Sequence, residues 1–141
     1  MSKLFKRIML IALVSVLVLG VSVSASAVDL PIEEDYGDEY YVYANADIDV
    51  HSTLGYITVN GGEAADAMAS VAGTYSYFDS NRILQTDSRY QVGYGGAVVS
   101  YSDSTIFSMV DATYTFWAEI PVSYGTQEFT PDLVVLEYWP Q

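Results

Sequence analysis

Residues 40–50 alternate without a fault: Tyr40, Val42, Ala44, Ala46, Ile48 and Val50 fall on one side, and Tyr41, Tyr43, Asn45, Asp47 and Asp49 on the other. Period two over such a length fits a pleated strand and no helix, because successive Cβ atoms of a strand point to opposite faces. A strand with one apolar face has to bury that face against a second layer. The pattern returns over residues 106–120. There Ile106, Val110, Ala112, Tyr114, Phe116, Ala118 and Ile120 form one face, and Met109, Asp111, Thr113, Thr115, Trp117 and Glu119 the other. Pro121 lacks an N–H and is expected to end this strand or to confine it to a sheet edge.

Shorter segments fit the same plan. Residues 55–59 read as a strand and Asn60-Gly61-Gly62 as a turn that tolerates positive φ. The alanine-rich residues 63–72 suit either a short helix or the start of a strand over 68–78. The reading adopted is a strand from Ser70 onward, with a helical turn before it. Asp79-Ser80-Asn81 is a turn, residues 82–86 a strand, and Asp87-Ser88 a second turn. Residues 90–101 alternate through Tyr90, Val92 and Tyr94 as far as Gly95-Gly96, where a bulge or tight bend is expected. Ser102-Asp103-Ser104 turns again, residues 124–131 read as a loop, and residues 133–139 as the last strand. From residue 28 onward there are 13 Tyr, 12 Val and 9 Thr against 5 Leu, an excess of β-branched and aromatic residues that favours strands. The expected fold is all-β: a small antiparallel β-sandwich of the immunoglobulin-like kind with about seven strands. A small β-barrel is the alternative.

The N-terminal segment follows other rules. Lys3, Lys6 and Arg7 precede an apolar run over residues 8–23, and Ala25-Ser26-Ala27 supplies small residues for a signal peptidase. The apolar run is short of the roughly 20 residues of a membrane span. Residues 1–27 are therefore read as a secretory signal cleaved before Val28, and the mature chain as secreted and extracellular. Residues 28–39 hold Asp29, Glu33, Glu34, Asp35, Asp38 and Glu39, and read as a flexible acidic arm. Residues 40–141 remain for the sandwich domain.

Charge and residue usage narrow the function. The formal charge is −13, and removal of the three basic leader residues takes it to −16. Such a surface repels phosphate backbones and anionic lipids, which excludes nucleic acid and, after signal cleavage, membrane insertion. Cationic proteins and neutral glycans are the partner classes left. The chain has no cysteine, so disulfides, thiolate metal sites and thiol nucleophiles are excluded. His51 is the one histidine, and no Gly-x-Ser-x-Gly elbow accompanies it, so no residue is assigned a catalytic role.

Two groups of residues stand out. Tyr41 and Tyr43 on one strand and Trp117 on the other are expected to point to solvent, with Thr113 and Thr115 beside the tryptophan, as an aromatic surface for a ligand. Asn45, Asp47 and Asp49 line one strand face with the hard oxygens that suit calcium, the single cofactor the sequence suggests. The expected function is a secreted, acidic, non-catalytic binding or structural module of the cell surface or extracellular medium. The alternative is a small extracellular hydrolase working with paired carboxylates.

Overall fold

The computed structural model describes residues 29–37, 40–62 and 66–138, and the expected leader lies outside them. The alternation of 40–50 becomes β2 (Tyr40–Asp49), which turns at Val50-His51 into β3 (Ser52–Gly61). β1 (Ile32–Tyr36) flanks β2, and β6 (Gly96–Ser102) flanks β3, giving a four-stranded antiparallel sheet in the order β1-β2-β3-β6. The second sheet runs β5 (Leu84–Tyr94), β4 (Met68–Phe78), β7 (Ser108–Val122) and β8 (Gly125–Phe129). β9 (Val134–Glu137) also pairs with β7. Two antiparallel sheets face one another across one core, the small β-sandwich expected. Its likeness to immunoglobulin domains lies in this layering. The strand order is its own: β2 pairs with β3, whereas an immunoglobulin domain pairs its second strand with its fifth.

The inward residues come from the alternating apolar faces. Val42, Ala44, Ala46 and Ile48 of β2 meet Ala112, Tyr114, Phe116, Ala118 and Ile120 of β7 across the core, all of them buried. Large rings on one sheet are matched by small residues on the other. The Tyr114 ring crosses the interior above Gly73 of its own sheet and presses on Gly55 of the opposite one. A Cβ at Gly55 would lie 2.4 Å from the ring, so only glycine fits. The ring ends on a polar chain: the Tyr114 hydroxyl donates to Thr53 Oγ1 at 2.7 Å, and Thr53 donates to the Asp47 carbonyl at 2.9 Å. This satisfies a hydroxyl that burial would otherwise leave unpaired at a cost of about 1–3 kcal/mol.

Four expectations are corrected. The acidic segment is no free arm where it is described: β1 pairs with β2, and Tyr36 is buried in the core. Alternate inward positions at Ile32 and Tyr36 suffice to hold it. Asp87-Ser88 is not a turn but the middle of β5, held to β4 by a hydroxyl ladder, Thr74 to Ser88 at 3.1 Å and Ser76 to Thr86 at 3.4 Å. The other expected turn, at Asp79-Ser80-Asn81, does form, and there Asp79 accepts the N–H groups of Asn81 and Ile83. Residues 125–129 form β8 rather than loop. Finally, the phase of β7 slips. Ser76 faces Asp111 but Tyr77 faces Met109, so Val110 is the extra residue of a bulge. Met109 is therefore buried and Val110 only partly so, the reverse of the expected pattern.

Other expectations hold. The strand expected from Ser70 forms, beginning two residues earlier at Met68, and residues 63–65, part of the expected helical turn, lie outside the described residues. Gly95-Gly96 is a tight bend, at which the chain leaves one sheet for the other while Gly95 bonds Ala67 and Val59. β7 passes through Pro121 to Val122; among the described residues β4 has ended by then and β8 alone pairs beside the proline.

Buried tyrosines make the fold sensitive to alkali. Desolvation pushes the Tyr36 and Tyr114 phenols up to about 12, and a hydrogen bond to Glu33 holds Tyr41 at about 12 as well. Each favours its neutral form in the folded state, so its stabilisation is complete below the ordinary value near 10 and is lost as pH rises through about 12. An alkaline titration is expected to show the sheet circular dichroism collapsing together with the appearance of tyrosinate absorbance in that window. Tyrosinate that forms fully with the sheet signal intact would contradict the burial.

Candidate recognition surface

The outer face of the five-stranded sheet carries exposed aromatic side chains. In antiparallel strands residues directly opposite share a face, so the pairing gives three rows: Tyr90-Ala72-Thr115, Val92-Ser70-Trp117 and Tyr94-Met68-Glu119. Tyr90 and Tyr94 are 66% and 70% exposed, and Trp117 and Met68 are half-buried. The small residues of β4 between them, Ser70 and Ala72, leave the rings standing above a low floor. Glu128 lies beside Glu119 on β8, which puts acid at the rim. Further along β7, Thr113 faces Thr74, and Asp111 faces Ser76 on one side and Glu137 on the other. Burial pushes the Asp111 carboxyl above the ordinary carboxylate range, against the hydrogen bonds that Ser76 gives it.

The expected ligand residues are outward, as their phase requires, but the structure does not bring them together. Trp117 is on this face with Thr113 and Thr115. Tyr41 and Tyr43 are on the outer face of the other sheet, on the far side of the sandwich. There Tyr43 stacks on Tyr56 at 5.9 Å, and Glu33 binds the Tyr41 hydroxyl. Both rings are half-buried by these neighbours. Tyr90 and Tyr94 replace them beside Trp117. Sequence alone shows their alternation with polar residues but not which way it faces. β5 inverts the usual sense: its apolar side is wet, and Gln85, Asp87, Arg89 and Gln91 point inward.

That inward side borders a cleft of about 410 Å³ between the β5 and β6 edges, lined by Arg89, Tyr90, Gln91, Val98, Val99 and Ser100. The Arg89 guanidinium lies 5.1 Å from the Tyr101 ring and reaches the Ser100 carbonyl at 3.4 Å. Tyr101 in turn stacks on Tyr75 at 4.5 Å and hydrogen-bonds Tyr77 at 3.1 Å. The cluster closes one end of the core.

Asn45, Asp47 and Asp49 have a different local task. β1 ends opposite Ala44, so beyond it the N–H groups of Ala46, Ile48 and Val50 face no strand among the described residues. Each is taken by the side chain before it, at 2.9, 2.9 and 2.7 Å. The three residues cap an open edge, and each commits an oxygen that calcium would need. Among the described residues no group of three or more His, Asp or Glu side chains gathers for a metal. His51 is exposed at the hairpin turn. A thermal-melt series is expected to show the midpoint rising with sodium chloride, as screening relieves the acidic surface. Calcium and magnesium should act alike at matched ionic strength, and a larger rise with calcium would restore the metal reading. No family model matches this chain, and no curated protein or solved structure is detectably similar to it.

Proposed function

We propose that the chain is a secreted, acidic, non-catalytic binding module of the extracellular medium or cell surface, and that it holds a cationic protein on the outer face of β5, β4 and β7. One observation carries the reading: Tyr90, Val92, Tyr94, Met68 and Trp117 stand side by side on a wet face instead of singly. Scattered apolar residues are normal on a surface, but a contiguous patch marks a contact site. Trp and Tyr are the side chains that most often anchor one. Glu119 and Glu128 at the rim, within a strongly negative chain, favour a partner of opposite charge. What supports binding over the carboxylate hydrolase is that the described cleft is lined by Arg89, Tyr90, Gln91, Val98, Val99 and Ser100, whereas the facing carboxylates Asp111 and Glu137, half-buried and buried, lie side by side on β7 and β9 and do not line it.

Capture from the surrounding medium onto the immobilised chain tests this. The expected retained species are basic proteins, lost on Tyr94→Ser with Trp117→Ser. Retention of a neutral polysaccharide instead would contradict the cationic partner.

A further inference from the structure

The long free edge of the five-stranded sheet is self-complementary, and we infer that it pairs with the same edge of a second copy of this chain. This stands apart from the binding reading, since it concerns the edge of β5 and not its outer face.

Among the described residues β5 ends its sheet, with β4 on one side and no strand on the other, and ten of its eleven residues are exposed. The Ser88 N–H is held by the Asp87 carboxylate at 2.8 Å, and the Val92 carbonyl by the Gln91 amide at 3.3 Å. Main-chain groups alternate in direction along a strand, so those of residues 84, 86, 88, 90 and 92 face the open side. Natural sheets protect such edges with charge, proline or shortness. β1 carries Glu33, Glu34 and Asp35, the bare stretch of β2 is capped by Asn45, Asp47 and Asp49, and β8 is short with Glu128. β5 is long, lacks proline and lysine, and carries two charges of opposite sign.

Those charges fix a register. An antiparallel pair related by a twofold axis at Ser88 places Asp87 opposite Arg89 of the second copy, twice. It also sets Gln85 opposite Gln91, Thr86 opposite Tyr90 and Leu84 opposite Val92. Every facing pair is compatible: charge with opposite charge, amide with amide, β-branched with aromatic, aliphatic with aliphatic. Moving the axis by one residue sets Asp87 against Asp87 or Arg89 against Arg89, and like charges directly opposite are unfavourable. The contact is isologous and closes as a dimer. In it the Ser88 N–H takes a main-chain partner, and Asp87 turns from that N–H to the neighbouring copy's arginine.

Sedimentation of the purified chain across a concentration series tests the pairing, with circular dichroism to check each variant. The wild type is expected to dimerise. Asp87→Arg alone and Arg89→Asp alone should each raise the dissociation constant by about tenfold or more, because two attractive pairs become repulsive. An equimolar mixture of these two variants should dimerise again, since each then meets its opposite. If a reversal fails to fold, Ser88→Pro decides: it removes an N–H that β4 does not use, so loss of the dimer supports the pairing and its survival overturns it. A wild type that stays monomeric throughout also overturns it, and leaves the edge to an extended segment of another protein. A dimer indifferent to all three substitutions overturns it equally.

Discussion

Phe116→Ala is expected to cost about 3–5 kcal/mol of folding stability, the range for deleting a buried ring. Phe116 is almost wholly buried, faces Val71 on β4 and lies 6.2 Å from Tyr114 in a stacked arrangement. Its neighbours cannot collapse into the space, because Tyr114 is held at its far end by Thr53 and at its sides by two glycine backbones. Domains of this size are stable by only about 5–15 kcal/mol, so the variant should be close to unfolding. Val110→Ala is the control for phase. As the extra residue of the bulge, Val110 is only partly buried, and its truncation should cost about 1 kcal/mol or less. Urea denaturation of both variants measures the difference. Equal losses would mean that β7 has no bulge.

Gly55→Ala should be nearly as damaging, at about 3 kcal/mol, although it adds one methyl group. That methyl would sit 2.4, 2.5 and 2.9 Å from three carbons of the Tyr114 ring. The ring is fully buried and cannot swing away, so the two sheets would have to part. Gly62→Ala, with nothing within 4 Å of the new carbon, should stay within about 0.5 kcal/mol of wild type. A tolerated Gly55→Ala would show that the Tyr114 ring does not span the core.

What the sequence makes legible follows from how strands record their surroundings. β2 and most of β7 lie between a core and water along their length, so their side chains alternate and their phase can be read. β1 and β8 are edge strands whose few inward residues, Ile32, Tyr36 and Phe129, are lost among acids and polar residues. β5 overhangs the core, so neither face must be apolar throughout, and turn-forming Asp87-Ser88 can sit at its centre. The bulge at Val110 is invisible because Met109 and Val110 are both apolar, and the sequence does not say which of the two faces inward. The surface is divided in the same way. Period two places Trp117, Tyr41 and Tyr43 outward, but it is silent on which sheet a strand joins. Only the pairing of β4 with both β5 and β7 brings Tyr90 and Tyr94 to Trp117.

The central claim is that one outer face of the sandwich, and not the other, makes the contact. Two double variants separate the faces: Tyr94→Ser with Trp117→Ser on the five-stranded sheet, and Tyr41→Ser with Tyr43→Ser on the four-stranded sheet. Both pairs lie outside residues 84–92, so pairing along the β5 edge is untouched. Binding of the captured partner to each folded variant is the measurement, read as a dissociation constant. The account predicts at least about a hundredfold weakening for the first, as for the loss of two aromatic anchors, and little change for the second. Weakening confined to the Tyr41 and Tyr43 variant would contradict it.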